Sequence, residues 1–179
     1  MRIISGKYKG RHIRVKKNFK ARPTTDFAKE NLFNVLSNYF DFNDIIALDL
    51  FAGTGSISLE LASRGCLSVD MVESDYSSFG FVKKVIAELG IKEIRPIHSD
   101  VFKFISVCSK TYDMIFADPP YALARLAELP DLIMKSDLLK QDGWFILEHP
   151  GKYNFEDHPY FRELRRYGSV HFSIFTMNT

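Results

Sequence analysis

From residue 45 onward the chain repeats one pattern, a short apolar run followed by a stretch with helical spacing. "IIALDLF" (45–51) precedes "SISLELASRG", "LSVDMVE" (67–73) precedes a helical stretch over 75–89, and "EIRPIHSD" precedes another over 101–108. "YDMIFAD" and a helical stretch near 123–139 lead to "GWFILEH" (143–149), and runs at 162–167 and 169–176 close the chain. Runs this short, alternating with helices through brief loops, are strands of a parallel sheet covered on both faces. Pro96 lies inside the third run, and a proline removes a ladder donor, so that strand belongs at an edge. The last two runs are parted by little more than Gly168 and must pair antiparallel. The expectation is an α/β fold: a Rossmann-like, mostly parallel seven-stranded sheet with an antiparallel C-terminal hairpin.

A chain of 179 residues suits one full core. No apolar stretch approaches the ~20 residues needed to cross a bilayer, and "MRIISGKYKG" does not read as a signal peptide. Cys66 and Cys108 stand apart without a CxxC pairing, which favours a reducing, cytoplasmic setting. The five histidines show no metal-binding spacing, so no metal is expected. Charge is uneven. Residues 1–22 hold nine basic residues and no acidic one, while the remainder carries fifteen basic against twenty-two acidic. A basic arm on an acidic body points to a polyanionic partner. Ile3, Ile4, Tyr8, Ile13 and Val15 interleave with the charges, and Gly6 and Gly10 permit tight turns, so the arm reads as a folded β-hairpin. Arg2, Lys7, Lys9, Arg11 and Arg14 are its candidate nucleic-acid-binding residues, the RNA-binding set if the partner is RNA. Thr24, Thr25 and Asp26 offer caps for an amphipathic helix over 26–40, with Ala28, Leu32, Val35, Leu36 and Tyr39 on one face. The expected division is an arm and helix over 1–40 and a Rossmann-like core over 41–179.

Two loops carry the chemistry. In "LDLFAGTGS" the first strand runs into Phe51, Ala52, Gly53, Thr54 and Gly55, and the following helix points free amides at an anion. In doubly wound sheets ligands lie at the carboxyl ends of the strands, where the order reverses. A dinucleotide fingerprint needs a third glycine where Ser58 stands, and Asp49 would repel a pyrophosphate. Asp49 suits a ligand with an ammonium group, such as S-adenosylmethionine. Glu73, beside Ser74, would hold a ribose diol. Asp100 would accept from an adenine amine near the Val101 amide, or cap the next helix, and the two roles are compatible.

The second loop is "DPPY", Asp118, Pro119, Pro120 and Tyr121. Two prolines stiffen the backbone and stop both helix and ladder. An exocyclic base amine is a poor nucleophile because its lone pair is delocalised into the ring. The Asp118 carboxylate and a proline carbonyl, accepting its two N–H bonds, would localise that pair and aim it at a sulfonium methyl. The ring of Tyr121 would stack on an unstacked base.

"LDLFAGTGS", "VESD", "DPPY" and "RIISGKYKGR…RPTTDFAKENLFNVL" together resemble the RsmD-type 16S ribosomal RNA guanine-N2 methyltransferases across essentially the whole chain. The resemblance implies the class I fold of S-adenosylmethionine-dependent methyltransferases. It implies methyl transfer to the N2 of one guanine of the small-subunit rRNA, free or in an assembling particle, and no metal. By motif position it assigns Asp49, Gly53, Gly55, Glu73, Asp100 and Val101 to the cofactor, and sets Arg22 and Thr24 at its pocket. Asp118, Pro119 and Tyr121 would hold the guanine. A monomer is expected. The alternatives are a DNA adenine-N6 methyltransferase, a nicotinamide oxidoreductase disfavoured by Asp49 and Ser58, and an RNA-binding ribosome-assembly factor with a vestigial pocket.

Overall fold

The computed structural model describes residues 1–15 and 25–177. Its seven strands are β1 (Ile46–Leu50), β2 (Ser68–Glu73), β3 (Ile94–His98), β4 (Tyr112–Ala117), β5 (Leu139–His149), β6 (Phe161–Tyr167) and β7 (Val170–Thr176). The helices are α1 (Asp26–Leu36), α2 (Ser56–Arg64), α3 (Tyr76–Leu89), α4 (Val101–Val107) and α5 (Leu129–Met134). The strands form one sheet in the order β3-β2-β1-β4-β5-β7-β6. Pairing is parallel from β3 to β5, and β7 inserts antiparallel between β5 and β6. Pro96 stands on the edge strand, as its missing donor requires.

Side chains alternate across the sheet and divide the core in two. Ala47, Met71, Met114, Phe116, Ile146, Phe172 and Ile174 pack beneath α1, α2 and α3 with Leu32, Ile57 and Val82. Leu48, Leu50, Ile115, Phe145, Leu147 and Phe175 face the other way, against α4 and α5 through Phe104, Leu129 and Ile133. Burying each such side chain is worth about 1.5–3 kcal/mol, so neither layer is dispensable.

Two helices differ from the sequence expectation. The helix over 26–40 ends at Leu36, because Ser37 caps it and Asn38 and Tyr39 turn; Tyr39 is exposed. The single helix near 123–139 is instead a 3-10 turn at Leu126–Glu128 followed by α5, only six residues long. Pro130 sits in its first turn, where proline starts helices rather than continuing them.

The basic arm is a hairpin in the described residues. Arg2 and His12 form an antiparallel bridge, and the Ile3 amide donates to the Arg11 carbonyl at 3.1 Å. It lies on α2, with the Lys7 amide donating to the Ser63 carbonyl at 2.7 Å and the Tyr8 amide to Ser63 Oγ at 2.9 Å. Ile3 and Tyr8 join the α1–α3 core. Gly6 is required here: its φ is +81°, and an added Cβ would fall 1.7 Å from the Ser63 carbonyl oxygen. Among the described residues no helix is long and apolar enough to cross a membrane.

Candidate active site

Register lines up the strand ends. Leu50 is level with Val72 on one side and Ala117 on the other, Ala117 with Leu147, and Glu73 with His98. Phe51, Asp118 and Glu148, each the next residue, therefore stand side by side on successive strands about 4.8 Å apart, with Glu73 flanking Phe51. The ladder extends through Asp118, whose amide donates to the Leu50 carbonyl at 3.3 Å. The glycine loop and the DPPY loop, 63 residues apart by the numbering of Gly55 and Asp118, are thus neighbours at the point where the sheet order reverses.

The glycine loop is held tightly. Gly53 and Gly55 have φ of +54° and +74°, and Phe51 also lies in the left-handed region at +58°. A non-glycine residue there is strained, and such strain concentrates at ligand loops. The Ala52 amide donates to the Val72 carbonyl at 3.1 Å, and an added Cβ at Gly55 would come 2.8 Å from Val82 Cγ1 of α3. Thr54 is buried beneath the loop. Glu73 accepts the Gly53 amide at 2.7 Å through Oε2 and the Asp75 amide at 2.6 Å through Oε1. A carboxylate has about four acceptor sites, so these bonds orient it without exhausting it.

Asp49 is buried, and its Oδ2 accepts from the Ser58 amide at 3.0 Å and the Ser58 hydroxyl at 2.5 Å. Burial pushes its carboxyl up to about 7, against the opposing pull of the Ser58 hydrogen bonds. Ser58, read from the sequence only as a missing glycine, is the partner that fixes Asp49. Asp100 caps α4, its Oδ1 accepting the Lys103 amide at 3.0 Å, while its side chain stays at the surface. Val101 is buried, and Phe102 meets the edge of Phe51 with ring centroids 6.3 Å apart. Ser74 is exposed, its carbonyl accepting from His98 Nε2 at 2.9 Å.

On the DPPY side Pro119 is buried, Pro120 is exposed, and the Tyr121 ring stands at the rim. The Tyr121 hydroxyl donates to Glu148 Oε1 at 3.3 Å. Glu148 is 4% exposed and was not singled out in the sequence, where "LEH" resembles any strand end. Lys7, Lys9, Arg11 and Arg14 are exposed, whereas Arg2 is half-buried. Arg22 and Thr24, with Lys16, Lys17 and Lys20, lie outside the described residues. Among the described residues no three His, Cys, Asp or Glu side chains are grouped to hold a metal.

The family model described as "Conserved hypothetical protein 95" matches residues 1–176. The "Putative rRNA methyltransferase YlbH" of Bacillus subtilis is 35% identical over 153 residues, covering 83% of this chain and 82% of the relative. The "Ribosomal RNA small subunit methyltransferase D" of a Buchnera aphidicola strain (Baizongia pistaciae) is 32% identical over 154 residues, covering 86% and 78%. The solved structure of a putative methyltransferase, yhhF, from Escherichia coli superposes with a TM-score of 0.84 at 27% identity, covering 98% of this chain and 96% of that one.

Proposed function

The chain belongs to the conserved hypothetical protein 95 family, the RsmD-type family its motifs resemble, and from that premise we propose that it methylates small-subunit ribosomal RNA. The methyl donor is S-adenosylmethionine, and the acceptor is the exocyclic N2 of a guanine. The carrying observation is the side-by-side placement of the glycine loop and Asp118 at the ends of β1 and β4. Asp49, Phe51, Ala52, Gly53, Thr54, Gly55, Glu73, Ser74, Asp100 and Val101 surround the donor. Glu73, two strand spacings or about 10 Å from Asp118, suits the ribose end, and the reactive methyl lies toward Asp118. The donor supplies an electrophilic methyl on a positively charged sulfur. Asp118 and a carbonyl of the Pro119–Pro120 pair accept the amine's two N–H bonds, which restores a directed lone pair, and Tyr121 stacks on the base. The amine's proton leaves after methyl transfer, to Asp118 or water.

The titration of Asp49 gives this donor assignment a test. A ligand ammonium needs the ionised carboxylate. Donor affinity is therefore full above about pH 7 and weakens below it, by at most about tenfold per pH unit, as Asp49 takes up a proton. The free protein responds oppositely. Its folded pKa of about 7 exceeds the ordinary 3.8, so it gains stability as pH falls between those values. Calorimetric titration of wild type and Asp49→Asn checks both: the variant loses the pH dependence of binding. A pH-dependence that survives in the variant removes Asp49 from the donor site.

The exposed arm residues Lys7, Lys9, Arg11 and Arg14 are proposed to grip phosphates, which position RNA without reading its sequence. The deciding assay incubates the protein with labelled S-adenosylmethionine and hypomethylated small subunits, then digests the rRNA and identifies the nucleoside. N2-methylguanosine is expected, and label in any other nucleoside or in none rejects the reading. In the same assay, alanine at the four arm positions should flatten the logarithmic salt dependence of RNA binding by about one to three units. An unchanged slope makes the arm purely structural.

A further inference from the structure

We infer that Phe27, braced by Tyr167, is a stacking platform for an unpaired nucleobase that flanks the methylated one, an inference that rests on the RNA-methylation reading above. Phe27 lies in the first turn of α1, off the buried stripe of Ala28, Leu32 and Leu36, and 67% of it is exposed. Its ring meets that of Tyr167 edge to face, with centroids 6.3 Å apart and planes at 87°. Tyr167 packs in turn on the α1–α3 core, its ring 6.1 Å from that of Phe172. Tyr167 is therefore anchored from below, and it holds Phe27 with most of the ring surface open.

A lone exposed phenylalanine is ordinary on a protein surface, but placement and charge set this one apart. β6 runs parallel to β5 across β7, and Tyr167 pairs with Val170 just beyond the level where His149 meets His171. Tyr167 thus stands at the mouth end of the sheet. Its strand is three places from β4, a lateral separation of about 14 Å from the strand that ends in DPPY. That span exceeds a nucleobase, so the ring receives a neighbour of the target base. α1 begins at the same end, where Lys29 donates to Ser56 Oγ at 3.1 Å at the start of α2. Cations flank the aromatic pair on two sides. Arg166, next to Tyr167, is exposed, and its 3.9 Å ion pair with Glu156 is a loose surface contact that a phosphate can replace. On the other side the open end of the arm reaches the glycine loop, with Thr54 Oγ1 donating to Met1 Sδ at 3.6 Å. The Ile13 amide donates to the Met1 carbonyl at 3.0 Å, which brings the exposed Arg14 to that end. An aromatic face between cations at the lip of a nucleic-acid site suits single-stranded RNA, whose bases stack on rings while its phosphates meet charge.

The test measures methyl transfer to hypomethylated small subunits by Phe27→Ala, Phe27→Leu and Phe27→Trp. Truncating a ring that stacks on one base costs about 5- to 150-fold, so KM for the subunits should rise by that factor in Phe27→Ala. Phe27→Leu keeps apolar bulk without a π face and should lose nearly as much, whereas Phe27→Trp should match wild type. Stacking carries no charge, so the salt dependence of RNA binding should keep its wild-type slope in all three variants. Donor affinity and Tm should also stay at their wild-type values, because the ring is exposed. A Phe27→Ala protein with wild-type KM overturns the inference, and so does a Phe27→Leu protein that retains it. A fall in Tm and donor affinity alongside the rise in KM assigns the ring to the folding of α1 and overturns it too. These outcomes leave the methyltransferase reading intact. Failure of wild type to label guanine in the subunits removes that reading, and this inference with it.

Discussion

Asp118→Ala is expected to lower methyl transfer at least about a thousandfold while leaving the affinity for S-adenosylmethionine nearly unchanged. The size follows from what the carboxylate is asked to do. It orients the amine and places negative charge where positive charge develops on nitrogen, and removing a single preorganised group of that kind costs about 10²- to 10³-fold. Misaligned attack on the methyl adds to that loss. Truncation leaves the backbone in place, because the Asp118 amide still donates to the Leu50 carbonyl. Asp118→Asn keeps an acceptor oxygen without the charge, so it should fall between wild type and the alanine variant. Single-turnover transfer rates with saturating donor, beside donor affinities from calorimetry, separate the two effects. A large loss of donor affinity in Asp118→Ala would move the aspartate from the amine to the cofactor, and a rate within tenfold of wild type would remove it from the chemistry.

The largest effect on stability belongs to Glu60→Ala, with a cost of about 3–5 kcal/mol and a drop in Tm of roughly 6–20 °C. Glu60 is fully buried in α2 and accepts the Ile4 amide at 2.8 Å, the Ser5 amide at 3.0 Å and Arg64 Nε at 2.8 Å. Its Oε2 also lies 3.8 Å from Nζ of Lys29, a lysine only 1% exposed. The Lys29 ammonium donates to the Arg2 carbonyl at 2.7 Å and to Ser56 Oγ at 3.1 Å. Burial holds its pKa below the ordinary lysine range, against the favourable charge of Glu60. Removing Glu60 leaves two amides unpaired and takes the buried counter-charge from Lys29, which among the described residues keeps only Asp26 at 3.8 Å, so the expected cost exceeds that of a surface ion pair. The network joins the arm to α2 at its Ser56 end, so amide exchange at Ile4 and Ser5 should accelerate together with the fall in Tm. Adding Lys29→Met to Glu60→Ala removes the buried charge whose nearest buried counter-ion is gone and should recover part of the loss. A loss under about 1 kcal/mol, or arm amides that stay protected, would show that apolar contacts of Ile3 and Tyr8 hold the arm.

Neither Lys29 nor Glu60 was named from the sequence, although a signal was present. Lys29 falls on the stripe of Leu32, Phe33 and Leu36, where a lysine is out of place on an apolar helix face. Nothing in the sequence pairs it with Glu60, 31 positions further along by residue number. Glu148 gave no signal, since a strand ending in an acid is common. The overlong helix near 123–139 has a local cause: the apolar spacing runs on through the segment, but Pro130 starts a new helix within it.

The parallel sheet, its edge strand and its closing hairpin were legible in the sequence because period, proline and turn length are local properties that constrain pairing directly, whereas the place of β7 between β5 and β6 was not. The glycine loop and DPPY were legible for the same reason, each being a backbone necessity written in consecutive residues. Tertiary structure alone decided who meets whom: Asp49 with Ser58, Glu60 with Lys29 and the arm, and Asp118 beside Glu148. Those meetings depend on strand register and on buried charge, which are fixed by the packing of distant segments against one another and leave no periodic trace along the chain.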